Sequence, residues 1–390
     1  MALNHSPRIV TDGLVFYYDM NNTEKSWKGK PTTNYVITTV ENYTGWGGAG
    51  WWIHPGNTVT TNYAPLPTGG MGTIFCATTL GTGGLYGYNG YALSTAYSSG
   101  TQYSLSFWAK NYIGAPSITV RDADSGGALS YSFSGIDATW RKFSITWYAN
   151  TSSNMLTFTG SNFCLYGVQF EISSFASPFV NGTRSNTQSI LDLTGRNTLT
   201  IQNLSYASIG TFSFDGVDDS IDSTTSAGLT GTGSWTMESV FKINGIPSNA
   251  LYGNVIVDTD ATGGSANMIL VDYGGGHGGS QNQLLYASRP STGGSYTLLG
   301  GPILTQGTYY HVAVVRNDVT NTKLYVNGSL YSTYSGNVPT ATQPLVRIGR
   351  WTDGTVYGNS TIPNVKIYNR ALSDQEVAQN YQALRGRYGI

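Results

Sequence analysis

Residues 210–245 read GTFSFDGVDDSIDSTTSAGLTGTGSWTMESVFKING, and this stretch decides the fold. Phe212 and Phe214 share one face of an alternating strand, while Thr211, Ser213 and Asp215 share the other. Gly216 breaks the strand, and the run Asp218-Asp219-Ser220-Ile221-Asp222 leads into Ser/Thr/Gly punctuation. A second strand is carried by Trp235, Met237, Ser239 and Phe241, with Glu238 and Lys242 facing away. Two alternating strands therefore flank a turn-rich middle.

The composition agrees with a β protein. Charged residues make up 11 % of the 390, under half the usual share of about a quarter, while glycine numbers 50 and tyrosine 28. Few charges with many aromatics exclude a disordered chain and suit sandwiches with many turns. A net charge of −1 without a basic cluster gives no footprint for nucleic acid. Residues 1–10 lack an apolar core of signal-peptide length, and no run reaches membrane-spanning length, so membrane insertion is not expected. Cys76 and Cys164 are too few for a disulfide framework. Cys164 shares parity with Tyr166, Val168 and Phe170, which predicts a buried free thiol in preference to a Cys76–Cys164 bridge.

Working outward, Leu14, Phe16 and Tyr18 form a first strand. Its continuation, Leu191-Asp192-Leu193-Thr194-Gly195, comes only after a long interruption. Both ends of that interruption are turn-rich and polar, as an inserted domain requires. The insert, 31–182, alternates in Tyr103–Lys110, Ile118–Val120, Phe143–Trp147 and Cys164–Glu171. Downstream, Tyr309–Arg316 and Lys323–Gly328 read as strands, and Asn327-Gly328 is a type I′ turn signal. Ser373-Asp374-Gln375-Glu376 is a capping box that opens one short helix, 373–384.

These segments resemble the laminin-G-like, concanavalin-A-type lectin sandwich: FDGVDDSI, the YYHVAVVR…KLYVNG hairpin and LVRIGR all stand in that family's order. The insert resembles the galactose-binding-like jelly roll of carbohydrate-binding modules. The phrases QFE…ASPFVNGTRS and ALRGRYGI are similar to endings frequent in tailed-bacteriophage virion proteins. The expected fold is all-β: a concanavalin-A-like β-sandwich (1–30 and 183–390) interrupted by a second, jelly-roll β-sandwich. The resemblance implies a non-enzymatic virion protein (a tail-fibre, receptor-binding, or capsid-decoration and head-fibre subunit) at the virion surface. It would be made in the bacterial host cytoplasm and would partner other virion proteins, further copies of itself and host-surface polysaccharide. The alternatives are a purely structural virion subunit without glycan binding and a polysaccharide depolymerase.

Candidate chemistry is sparse. Glycosidases need two carboxylates at a set separation, yet Glu24, Glu41, Glu171, Glu238 and Glu376 lie far apart. The motif Gly274-Gly-Gly276-His-Gly-Gly279 matches a dinucleotide pattern but precedes no helix. Sugars offer apolar faces to aromatic rings and hydroxyls to amides. The candidate glycan residues are Trp46, Trp51 and Trp52 in a Gly-rich loop, Tyr86 and Tyr88 in another, and Trp108, set opposite Phe107. On the alternative reading these rings pack sandwich ends or a subunit interface. No cofactor is required. The resemblance admits a structural calcium ion, for which Asp215, Asp218, Asp219 and Asp222 are candidates, with turn hydrogen bonding as the other explanation.

Overall fold

A computed structural model describes the chain except residues 1–6, 24, 37–38, 41, 45–49, 89–91, 123–128, 151–154, 207–211, 224–228, 230–232, 262–264, 290–294, 337–344 and 352–353. The side chains of residues 82–83, 88, 260–261 and 265–266 are likewise undescribed. Thr211 and the punctuation at 224–228 and 230–232 lie outside the described residues. The chain forms two compact units, Met1–Lys30 with Ser185–Ile390, and Pro31–Arg184.

In the first unit two antiparallel sheets enclose one core. The front sheet runs Ser205–Tyr206, Phe212–Asp215, Asn359–Tyr368, Trp235–Ile243, Tyr309–Asp318, Asn321–Val326 and Ser329–Tyr334. Leu14–Asp19 joins it, pairing Tyr18 with Val365. The back sheet runs Leu199–Gln202, Ser220–Ser223, Leu345–Ile348, Asn254–Ala261, Ser265–Asp272, Gln283–Arg289 and Thr297–Ile303. Alternation sends Phe212, Phe214, Trp235, Met237 and Phe241 inward, where they meet Ile221, Tyr286 and Ile348 of the back sheet. Ser220–Ser223 is a strand that the acid-rich sequence reads as turn. Its two flanks belong to the front sheet, so the chain crosses the core at Gly216–Asp219 and crosses back before Trp235.

Asn327 and Gly328 both have positive φ (48° and 76°), the type I′ geometry expected of that hairpin. Helix α1 (Asp374–Tyr388) has its capping box, Ser373 with Glu376, and extends one turn beyond the predicted end, to a left-handed Gly389. Gly386 hides that last turn from a propensity reading. The helix packs on the outer face of the front sheet, with Val377 over Ala313, Val315, Tyr325 and Tyr368.

That interface also holds a buried polar network. Glu238 is 0 % exposed and accepts from the His311 ring, from Lys366 Nζ at 3.1 Å and from Asn380 Nδ2 at 2.9 Å. Burial alone would raise its pKa, but Lys366 and His311 outweigh burial and hold the carboxyl at about 2.

The second unit is a β-sandwich whose layers share one long strand, Met71–Tyr88. Its first half pairs with Thr58–Pro65 and Phe163–Ile172, its second half with Met155–Ser161 and Trp51–Ile53. Gln102–Asn111 and Arg141–Tyr148 complete one layer, Ser117–Arg121 and Ser130–Phe133 the other. Thr32–Thr33 pairs with Thr183–Arg184, so the chain enters and leaves this unit side by side. Glu171 closes it by accepting from Ser177 N at 2.7 Å and Thr32 Oγ1 at 2.6 Å, while Gln169 accepts from Val180 N at 2.7 Å.

The expected free thiol is corrected: Cys76 and Cys164 form a disulfide. They are direct cross-strand partners in the Met71–Tyr88 and Phe163–Ile172 pair, with Cα atoms 4.0 Å apart. The parity argument failed at a bulge. The register shifts between Tyr166 and Gln169, with Gly167 at φ 60°, so Val168 and Phe170 face the core while Cys164 does not. Cys164 lies instead with Ile74 and Cys76 on the opposite face, beside Leu66 and Trp140. The bond closes a separation of 88 residues. Reduction, or Cys76→Ser, is expected to lower the stability of this unit by about 2–4 kcal/mol. Urea midpoints with and without reductant measure this, and equal midpoints would count against a formed bond.

Candidate functional site

A well-formed concavity is built on the front sheet. Strand alternation puts Phe241 and Ile243 inward and turns Lys242 out; likewise Ser213 lies between Phe212 and Phe214, and Thr361 beside Ile362. Tyr309 opens the neighbouring strand, Asn244 follows Lys242, and Arg387 and Tyr388 descend from the last turn of α1. With Met20, Asn21 and Pro363 they line a cleft of about 540 Å³, within the usual range for small-ligand sites.

One wall is aromatic: Tyr309 and Tyr388 have centroids 5.4 Å apart. Lys242 Nζ stands 5.1 Å from the Tyr309 ring centroid and, among the described residues, pairs with no carboxylate. Arg387 donates to Asp19, which neutralises it, so Lys242 sets the sign of the cleft. Asn244 and Thr361 exchange hydrogen bonds at 3.1 and 3.2 Å. Burial raises the pKa of both tyrosines, keeping them neutral donors. Rings beside amides, hydroxyls and one cation can stack on a saccharide face and bind its rim.

The structure does not gather the predicted glycan residues into an exposed platform. Trp46 and the ring of Tyr88 lie outside the described residues. Trp51 is 0 % exposed: its strand pairs with the long strand, and its ring lies against Gly87 and 5.8 Å from Phe158. A Cβ at residue 87 would stand 2.8 Å from that ring, so this glycine makes room for packing instead of holding a ring in a loop. Tyr86 is buried and Trp52 half-buried. Trp108 is half-buried, with Phe179 at 5.5 Å and Lys142 Nζ at 5.2 Å from its ring centroid. The candidate set is corrected where burial contradicts it: Trp51 and Tyr86 are packing residues. The cleft residues carried one signal in the sequence, the outward parity of Lys242.

The four candidate calcium ligands also separate. Asp222 accepts from Arg350 Nε at 3.0 Å and Nη2 at 3.1 Å, with Arg347 at 3.5 Å, and is removed from the set because these cations already neutralise it. Asp215, Asp218 and Asp219 converge, one carboxylate oxygen of each lying within 4.8 Å of the others. Burial pushes the Asp219 carboxyl up to about 7; the Asp215 N–H, which donates to Oδ2 at 2.8 Å, opposes the rise, while the charges of Asp215 and Asp218 add to it. Elsewhere, the Gly-rich loop at 274–279 is cinched by Asp272, which accepts from the N–H groups of Gly275, His277 and Gly279. His277 packs with Tyr252, Tyr296 and Trp351.

Residues 215–378 match the family model of the concanavalin A-like lectin/glucanases superfamily. No curated protein matches the chain in sequence. Among solved structures, the chain is similar to the receptor binding domain of botulinum neurotoxin D, at 15 % identity over 51 % of each chain with a TM-score of 0.38. It is also similar to the binding domain of botulinum neurotoxin DC, at 16 % identity over 51 % of this chain and 50 % of that one, with a TM-score of 0.40. The binding domain of Paraclostridial Mosquitocidal Protein 1 is a third, at 15 % identity over 49 % of each chain and a TM-score of 0.37. The chain spans about half the length of these structures. Sheet architecture and family match together give an all-β chain that carries a concanavalin A-like lectin fold.

Proposed function

We propose that this chain is a non-enzymatic, glycan-binding protein of a tailed-phage surface, which holds host polysaccharide in the cleft between Lys242, Asn244, Tyr309 and Tyr388. The observation that carries the reading is the cleft itself, an aromatic wall facing amides and an ammonium that pairs with no carboxylate among the described residues. The virion setting rests on the sequence resemblance of the ASPFVNGTRS and ALRGRYGI phrases. Support for a non-enzymatic role comes from the glutamates. Glu238 is enclosed under α1, Glu171 is buried in its clasp, and Glu376 is bound by Arg370 and Ser373.

Glycan-array and titration measurements test the reading. Tyr309→Ala and Lys242→Met are each expected to weaken binding about tenfold, which is about 1.4 kcal/mol. Undiminished binding in both variants would move the site away from the cleft. Absence of any glycan ligand would favour a purely structural virion subunit, and release of reducing ends from host polysaccharide would overturn the non-enzymatic part.

A further inference from the structure

We propose that the ligand of the front-sheet cleft is an acidic saccharide, one whose sugar rings carry carboxylate or sulfate groups, and that Lys242 is the residue that selects it. The inference rests on the glycan-binding role proposed for that cleft and adds the charge of the glycan.

The charge balance of the lining carries it. Lys242 and Arg387 line the cleft, and no aspartate or glutamate does among the described residues. The chain as a whole has a net charge of −1, so this cationic excess is local. One cation stands beside each ring of the aromatic wall. Lys242 Nζ lies 5.1 Å from the Tyr309 centroid, and Arg387 Cζ lies 5.8 Å from the Tyr388 centroid. The two rings are themselves neighbours, with centroids 5.4 Å apart.

The two cations are held in different ways. A tyrosine face positions an ammonium without cancelling its charge, and no carboxylate among the described residues pairs with Lys242. Arg387 is matched in charge by Asp19, but its side chain is 41 % exposed. One bond to that carboxylate leaves other N–H donors of the guanidinium unused. A neutral sugar seated on the rings would cover the Lys242 ammonium without compensating it, which costs free energy. An anionic group on the same sugar supplies the counter-ion and accepts charge-assisted hydrogen bonds from ammonium and guanidinium alike. The rings thus bind the sugar face, and Lys242 discriminates between charged and neutral sugars.

The test uses the full chain on an array of bacterial capsular oligosaccharides in which each uronic-acid member is paired with its carboxyl-reduced form, followed by calorimetric titration. The acidic member is expected to bind at least about tenfold more tightly than its reduced partner. That preference is expected to shrink as salt rises from about 0.05 to about 0.5 M. Sulfation of the reduced form decides the anion: recovered binding supports charge alone as the requirement, and its absence supports recognition of the carboxylate. Lys242→Gln strands no carboxylate partner, and it is expected to bring acidic and reduced members within about threefold of each other, whereas Lys242→Arg is expected to keep the preference. Equal wild-type affinity for acidic and reduced members, or an acidic preference that survives Lys242→Gln, would overturn this inference and leave the glycan-binding role standing. Absence of binding to every member, acidic or neutral, would overturn that role and this inference with it.

Discussion

Replacing Glu238 with glutamine is expected to destabilise the first unit by about 3–5 kcal/mol at pH 7, the cost of breaking a buried ion pair from one side. The carboxylate is enclosed with Lys366, His311 and Asn380, and each of the first two is itself buried. Glutamine keeps the volume and one acceptor but leaves the Lys366 ammonium uncompensated in a dry interface. The pH dependence has a definite sign. The folded pKa, about 2, lies below the ordinary glutamate value of 4.5, so the folded state favours the ionised form. That contribution is complete above about pH 4.5 and is lost as pH falls through about 2. The gap between wild type and Glu238→Gln should therefore be wide at pH 7 and narrow towards pH 2. Urea unfolding at pH 7, 4 and 2.5 measures both. A loss under 1 kcal/mol at pH 7, or a gap that does not narrow in acid, would contradict the network as described.

Trp51→Ala is expected to cost the second unit about 3–5 kcal/mol and to leave glycan binding unchanged. The ring fills space bounded by Phe158 and the bare backbone of Gly87, and neither can move in to fill the void. Tyr309→Ala should show the reverse, with impaired binding and a smaller change in stability, because that ring is only half-buried. Measuring both variants by denaturation and by glycan titration separates a packing tryptophan from a binding tyrosine. Loss of glycan affinity in Trp51→Ala at unchanged stability would reverse the assignment.

The elements that were legible share a cause. Period-two alternation in Phe212–Asp215, Trp235–Ile243 and Tyr309–Asp318 is written in neighbouring side chains, as are the Asn327-Gly328 turn and the Ser373–Glu376 capping box. Local chemistry sets each of them, so residues a few positions apart suffice to read them. Ser220–Ser223 was obscured because its outward residue is an aspartate, and that aspartate is acceptable only once Arg350 arrives from 128 positions away. The helix end was obscured by Gly386.

The sequence by itself determined that this protein is all-β, where several of its strands and its helix begin, and that Lys242 and Glu238 point away from the core. Only the tertiary structure decided what those side chains meet there: a cleft for Lys242, a sealed ion network for Glu238. It also decided that Cys76 and Cys164 face each other and that Trp51 is core. The physical reason is that alternation specifies a face but neither a partner nor a register. A single bulge at Gly167 inverts the parity of everything after it on its strand. Cross-strand neighbours follow from long-range pairing, and the cleft unites residues from Met20 to Tyr388 that become adjacent only when the last strand closes on the first.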